Sequence, residues 1–467
     1  MRERVCDVAV IGAGSAGLAA YRAAKKAGAD CVLIERGPGG TTCARVGCMP
    51  SKLLIAAADV AQRAREGEPL GVRIGSVTVD GPAVLARLRR ERDRFVGAVL
   101  DAADDFPAAD RLAGEARFVD ARTLAIGGEV HLRFGAAVIA TGSSPAVPPP
   151  LRGLGDRLLT TDTLFEIPDL PESLAVLGLG AVGVELAQAM ARLGVKVTAF
   201  DTGDTIAGLS EPDLVRKAVD IFSDAFTLHL GARVEGAERT AAGVRLAWTG
   251  ADGRAASTEA ACILAAAGRP PNLSGLGLDA AGLALDDRGM PDFDHRSLVC
   301  RGAPILIAGD ANAWRPVLHE ASRQGGIAGR NAAALAAGQE PERPGPWPSL
   351  AMVFTHPQAA AIGEPYDPDA TGRIVGTMDF GDQGRARTER LNQGGICLWA
   401  APDGRLLGGE MLGPGVEHLA QIVSNALCDN LTVQALVDRP VYHPTVEEGL
   451  YTALSEIIQK IDYVHGD

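Results

Sequence analysis

Residues 5–35 read VCDVAVIGAGSAGLAAYRAAKKAGADCVLIE. An apolar strand pattern ends in a glycine-rich turn at Gly12, Gly14 and Gly17. An Ala-rich helix pattern follows, and a second apolar strand closes on Glu35. In such a G-x-G-x-x-G turn the first glycine permits the tight bend, the second lets backbone approach a pyrophosphate, and the third lets helix pack on strand. The helix then presents free N–H groups to the phosphates, and an acid ending the second strand can accept hydrogen bonds from a ribose. Residues 174–201, LAVLGLGAVGVELAQAMARLGVKVTAFD, repeat the unit with Gly178, Gly180, Gly183 and Asp201. One glycine triplet alone is weak. Two copies, each with its strand, helix and acid, predict two Rossmann-like dinucleotide-binding domains. Two such sites in one chain suggest electron transfer between two cofactors. Asp201 favours a free 2′-hydroxyl and repels a 2′-phosphate, and FDTGDT (200–205) carries no basic residue. NAD is therefore expected rather than NADP.

Composition outlines the rest. AAVIATGSSP (136–145) reads as a strand ending in a loop, and ACILAAAGRPPN (261–272) closes the second unit in the same style. ILIAGDAN (305–312) is a further buried strand, ending at Gly309 and Asp310, and the proline-rich EPERPGPWPS (340–349) reads as a linker. Beyond it, short strand patterns alternate with helices and no dinucleotide fingerprint recurs.

With 467 residues the chain is long enough for about three domains. Its 47% hydrophobic and 22% charged residues fit a globular protein. A net charge of −13 argues against nucleic acid or an anionic membrane surface as partner. The basic run RLRRERDR (87–94) reads as the solvated face of a helix whose apolar positions are Val84, Leu85, Leu88, Phe95 and Val99. No apolar run approaches the ~18 residues of a membrane span, so the expected location is the cytoplasm. Eight irregularly spaced cysteines do not form a disulfide scaffold.

The exception to that irregularity is GTTCARVGCMPSK (40–52), with Cys43 and Cys48 five positions apart. In a reducing compartment a close pair is more often redox-active or metal-binding than structural. A metal half-site would need two or more further ligands, and the eight histidines are scattered without finger-like spacing. A disulfide meets a geometric limit. In a regular helix positions i and i+5 lie about 8–9 Å apart, and a disulfide tolerates at most about 7 Å between Cα atoms. The pair must then sit where the helix is irregular, in its first turn or the loop before it. A helix N-terminus there would also lower a thiol pKa.

GTTCARVGCMPSK, both fingerprints, ATG (140–142), AGRPPN (267–272), AGD (308–310) and HPTVEE (443–448) together resemble the FAD-dependent pyridine nucleotide–disulfide oxidoreductases. Dihydrolipoamide dehydrogenases are the nearest branch, and the resemblance covers essentially the whole chain. It implies an FAD domain (1–146, returning at 271–345), an inserted NAD domain (147–270) and an α+β dimerisation domain (346–467). Cys43–Cys48 would be a catalytic disulfide, with Cys48 next to the flavin as charge-transfer thiolate and Cys43 as interchange thiol. Lys52 would lie near the flavin, with Glu185 as its partner near the nicotinamide. Glu35 would bind the adenosine ribose of FAD, and Asp310 the ribityl or pyrophosphate region. Thr141, Gly142 and Gly268 fall in the remaining cofactor-binding motifs. His443 would be the base for the incoming dithiol, oriented by Glu448, and would act across a homodimer interface.

Three places depart from the usual pattern. Thr41 stands where a glycine is common, Arg45 where Asn is common, and Val441–Tyr442 where His-Ala often precedes the histidine. They flank the substrate thiol path and bear on the substrate rather than on the flavin. IDYVHGD (461–467) has no cysteine pair and no metal-binding segment is expected before residue 1, which together disfavour mercuric reductase. The missing basic residues after the second fingerprint disfavour glutathione reductase, and the intact cysteine pair disfavours the soluble transhydrogenases. The expected activity is dihydrolipoyl dehydrogenase, contributing to cell redox homeostasis, with the lipoyl domain of a 2-oxo acid dehydrogenase complex or another lipoyl carrier as partner. Alternatives are an NAD(P)H-dependent reductase of another small disulfide or a quinone, and a non-catalytic NADH-sensing flavoprotein. No metal site is expected.

Overall fold

The first fingerprint folds as strand Arg2–Ile11, helix Ser15–Lys26 and strand Cys31–Glu35 in the computed structural model, which describes residues 2–465. The two strands pair in parallel, Val8 opposite Cys31 through Ile11 opposite Ile34. On its other edge Arg2–Ile11 pairs in parallel with Val130–Ile139, which also pairs in parallel with Ile305–Ile307. Strands Arg111–Ala113, Thr123–Ile126 and Ala116–Asp120 complete a seven-stranded sheet. The runs VAVI (8–11) and AAVI (136–139) are buried throughout. A parallel sheet covered on both faces demands such unbroken apolar runs.

The second fingerprint repeats the arrangement with strand Ser173–Leu177, helix Ala181–Arg192 and strand Lys196–Phe200. Its five-stranded sheet is parallel throughout, including Thr227–His229, Cys262–Ala265 and Leu158–Leu159. Leu174 and Val176 enter one apolar cluster while Ala175 and Leu177 enter another, so the run LAVL serves two cores with period two. In both copies the third glycine makes the close packing possible. A Cβ on Gly17 would lie 1.8 Å from the Gly12 carbonyl oxygen, and one on Gly183 equally close to that of Gly178.

After the linker, strands Leu350–Val353, Gln358–Gly363, Leu406–Gly413, Gly395–Ala400 and Ile374–Asp379 form an antiparallel sheet in that spatial order. Helices Val416–Cys428, Val433–Val437 and Glu447–His465 complete the α+β segment. Gly466 and Asp467, at the end of IDYVHGD, lie outside the described residues.

By packing, the chain forms two discontinuous units: Met1–Pro50, Arg89–Pro145 and Arg269–Pro346, then Ser51–Leu88, Ala146–Gly268 and Trp347–Asp467. Residues 51–88, which the sequence division runs together with 1–50, group with the second unit because Leu54, Ala58 and Leu88 are buried in one cluster with Val184, Ala187 and Met190. The basic run lies in helix Gly81–Asp104. Leu85, Leu88 and Val96 are buried on it, Phe95 is exposed, and Arg92 is turned inward with Nε on Asp93. No helix among the described residues is long and apolar enough to cross a membrane.

Candidate active site

Both glycine turns form cradles built in the same way. Gly14 and Gly180 cap their helices without a side-chain hydrogen bond, and neither first turn holds an acid. A Cβ at either position would meet nothing within 4 Å, so each helix N-terminus faces open space suited to phosphate oxygens. Glu35 accepts the Ala13 and Gly37 N–H groups, each at 2.7 Å. Asp201 likewise accepts the N–H groups of Leu179 at 2.6 Å and Gly203 at 2.8 Å. Each carboxylate is thus fixed beside its glycine turn and keeps lone pairs for a ribose.

In the first unit Ser143 Oγ donates to Asp310 at 2.8 Å, and Arg269 Nη2 donates to the Ser143 carbonyl at 3.0 Å. The Asn272 side chain and backbone N–H donate to the carbonyls of Thr141 and Gly142. Thr141 Oγ1 is buried without a hydrogen-bond partner. An orphaned buried hydroxyl beside the first cradle fits a bound FAD, which would supply its partner. Gly268 lies at the end of the second unit's central span, where its carbonyl accepts the Ala146 N–H at 2.9 Å.

Cys43 lies in the five-residue helix Thr42–Val46, and Cys48 opens the helix Cys48–Arg65. The break between them is Gly47, where a Cβ would stand 3.1 Å from the Thr42 carbonyl oxygen and 3.2 Å from the Cys43 Cα. A disulfide between positions i and i+5 would require such a break. Thr41 caps the short helix, accepting the Ala44 N–H at 3.2 Å from a φ of 57°. Left-handed backbone favours glycine, which gives the physical reason that glycine is common at this position. Arg45, the second departure, donates from Nε to the Gly39 carbonyl at 3.1 Å and from Nη2 to that of Pro38, tying down the entry loop. Cys6, Cys300 and Cys397 are pushed up to about 12 by burial, and burial raises the Cys31 thiol further. The exposed or half-exposed thiols include Cys43 and Cys48.

Lys52 and Glu185, 133 positions apart, form an ion pair at 2.8 and 3.0 Å. Glu185 is buried, and it also accepts the Phe354 N–H at 2.8 Å. The Phe354 ring lies under the Lys52 ammonium, 4.4 Å from Nζ to centroid. A cation over an aromatic face gains from the ring quadrupole, so both ends of the pair rest on one residue.

His443 Nδ1 lies 2.9 Å from Glu448 Oε1, and the Thr445 N–H donates to Glu448 Oε2 at 3.0 Å. The His443 bond, and then the Thr445 N–H, hold the Glu448 carboxyl below its ordinary value. An ionised carboxylate only accepts, so in the neutral imidazole the tautomer that fits this contact has the proton on Nδ1 and leaves Nε2 as the acceptor. Glu448 sits in the first turn of Glu447–His465, where a negative charge is favoured. Tyr442 is 82% exposed and His443 is also exposed. Among the described residues, no group of three or more His, Cys, Asp or Glu could hold a metal ion.

The pattern described as pyridine nucleotide-disulphide oxidoreductase matches residues 6–326, and that of the corresponding dimerisation domain matches residues 349–454. The chain belongs to the pyridine nucleotide-disulphide oxidoreductases. As a member of this family it is a flavoprotein disulfide oxidoreductase with FAD and NAD(H) as cofactors. Its dimerisation domain supports a homodimer. It is 32% identical to the mercuric reductase of Acidithiobacillus ferrooxidans over 96% of this chain and 81% of that one. It is 28% identical to the dihydrolipoyl dehydrogenase of Bacillus subtilis over 97% and 98%. Among solved structures, the fold is shared with the HOCl-induced flavoprotein disulfide reductase RclA of Escherichia coli in its Cu(II) complex, at TM-score 0.82 and 22% identity over 97% and 99% of the two chains. LpdA of Mycobacterium tuberculosis also has TM-score 0.82, at 24% identity over 98% and 100%.

Sequence reasoning missed Phe354 and Gln188, and it gave Thr445, inside HPTVEE, no role of its own. Thr445 carried a signal, because Thr-x-x-Glu before a helix is a capping pattern. Gln188 follows Glu185 by three positions on the same helix face. Phe354 carried none, since its partners are far away in the chain.

Proposed function

We propose that the chain passes two electrons between NAD(H) and a dithiol or disulfide substrate, with a dihydrolipoyl group as that substrate. FAD and NAD(H), when bound, supply the two-electron transfer. Cys48 then serves the flavin side and Cys43 exchanges with the substrate sulfur. Lys52 and Glu185 hold one charge geometry where the two cofactors meet. His443, acting on the cysteines of the second subunit, takes a proton from the incoming dithiol at Nε2 and returns it in the reverse direction.

The observation that carries this proposal is the His443–Glu448 dyad, an imidazole oriented by a carboxylate on the domain named for dimerisation. A chain that only sensed NADH would have no use for it. His443→Gln should slow dihydrolipoamide oxidation by about 10²–10⁴-fold, the usual worth of a general acid–base, with flavin content unchanged. Mixing inactive Cys43→Ser and His443→Gln chains should restore part of the activity in heterodimers, which contain one site without either lesion. If subunit exchange is demonstrated and no activity returns, the cross-subunit role is wrong.

A second substrate reading, reduction of a soft metal ion bound by the two thiols, is favoured by the 32% identity to a mercuric reductase. Parallel assays with lipoamide, glutathione disulfide, a quinone and Hg(II) separate these substrates.

A further inference from the structure

Helix Ala181–Arg192 presents Glu185, Gln188 and Arg192 on one face, at spacing i, i+3, i+7. All three grip the same short segment. Glu185 accepts the Phe354 N–H at 2.8 Å, and Gln188 Oε1 accepts the His356 N–H at 2.8 Å. Gln188 Nε2 donates to the His356 carbonyl at 2.7 Å, and Arg192 Nη2 donates to the same oxygen at 3.1 Å. Arg192 Nη1 is held in turn by Asp59 at 2.7 Å. The Gln188 amide is buried, so it can trade neither bond for water without cost. It pairs with both backbone polar groups of His356, as one strand residue pairs with another. Thr355 between them is buried too, its hydroxyl donating to the Pro357 carbonyl at 2.7 Å.

The consequence lies two residues away. With His356 clamped, Phe354 cannot slide along the helix face, so its N–H stays on Glu185 and its ring stays under Lys52. We propose that Gln188, backed by Arg192, is a positioning residue that sets the geometry of the Lys52–Glu185 pair through Phe354. This rests on the proposal that the pair serves the step between nicotinamide and flavin. Gln188 itself touches neither Lys52 nor a cofactor, so its effect should fall on that step and not on the thiol step.

The test separates the two half-reactions in the purified holoenzyme. Gln188→Leu, which keeps the bulk and removes both bonds, should slow flavin reduction by NADH about 10- to 100-fold, the range expected when a reacting group is misplaced by about 1 Å. Reduction by dihydrolipoamide should stay within about twofold, and FAD content should be unchanged. Phe354→Leu keeps the N–H and loses the ring, and should slow the NADH step by a smaller factor. Gln188→Glu keeps the acceptor for the His356 N–H and should fall between Gln188→Leu and wild type. A readout independent of turnover is amide hydrogen exchange of residues 353–357, which should accelerate in Gln188→Leu. Lys52→Met and Glu185→Gln are the controls. If they slow the NADH step and Gln188→Leu does not, or if Gln188→Leu slows both half-reactions equally, the positioning role is overturned. If the controls leave the NADH step unchanged, the reading of the pair itself fails and takes this proposal with it.

Discussion

Replacing Lys52 by Met should destabilise the protein through Glu185 rather than through Lys52. The Glu185 side chain is 6% exposed and its carboxylate takes two bonds from the ammonium and one from the Phe354 N–H. Removing one partner of a buried ion pair typically costs about 3–5 kcal/mol, mainly for the stranded charge. Lys52 is 32% exposed, so water can approach the vacated end, and the Phe354 bond survives. Both lower the expectation to about 2–3 kcal/mol. Glu185→Gln removes the charge and keeps an acceptor for Phe354, so it should cost about 1–2 kcal/mol. The double variant leaves no uncompensated charge and should cost about 1–2 kcal/mol less than the sum of the singles, as expected for groups in contact. Urea unfolding of the four purified proteins, followed by intrinsic fluorescence at equal protein concentration, gives the cycle from midpoints at constant slope. Strict additivity, or a Lys52→Met cost below about 0.5 kcal/mol, would refute a buried, mutually dependent pair.

Asp201→Ala should narrow a strong preference for NADH over NADPH, because it removes the carboxylate held at the second cradle by Leu179 and Gly203; a wild-type preference for NADPH contradicts the assignment. Two-electron reduction should give a long-wavelength absorbance that Cys48→Ser abolishes and Cys43→Ser retains, and identical spectra from the two variants reject the ordering of the thiols. Native alkylation near pH 8 should spare Cys6, Cys300 and Cys397. With pKa values raised to about 12, only about 10⁻⁴ of each is thiolate, and thiolate is the reactive form. Peptide mapping that finds them modified at the rate of Cys43 or Cys48 shows those burials to be wrong.

Asp110 offers a stability test tied to pH. Burial alone would raise its carboxyl, but hydrogen bonds from Tyr21 and Lys25, at 2.7 and 3.0 Å, outweigh it and hold the group below its ordinary value. A depressed carboxylate stabilises above its unfolded pKa, and that contribution fades as pH falls through the lower folded value. Asp110→Asn should therefore lower the urea midpoint at pH 7 and flatten its acid dependence. An unchanged acid limb assigns the dependence to other groups.

Much of this protein follows from local chemistry. Each glycine turn, its helix and its acid lie within about thirty residues, and their geometry comes from backbone rules that operate inside that span. His443 and Glu448, five positions apart at a helix start, were legible through the resemblance, and a disulfide between Cys43 and Cys48 would require a helix break, which Gly47 supplies. Thr41 and Arg45, met in the sequence only as departures, became a cap at positive φ and a tether of the entry loop once the backbone path was known. The Lys52–Glu185 contact was legible only by resemblance, because nothing local relates positions 133 apart. Phe354 was not legible at all, and Gln188 only as a neighbour of Glu185 on one helix face. A phenylalanine after an apolar strand and a glutamine on a helix look like ordinary core and surface residues. Their roles arise where helix Ala181–Arg192, the segment after strand Leu350–Val353 and the helix bearing Lys52 are packed together. Short-range patterns encode periodicity and turn geometry, but which buried carboxylate meets which distant N–H is decided by packing, when each desolvated polar group must find a partner.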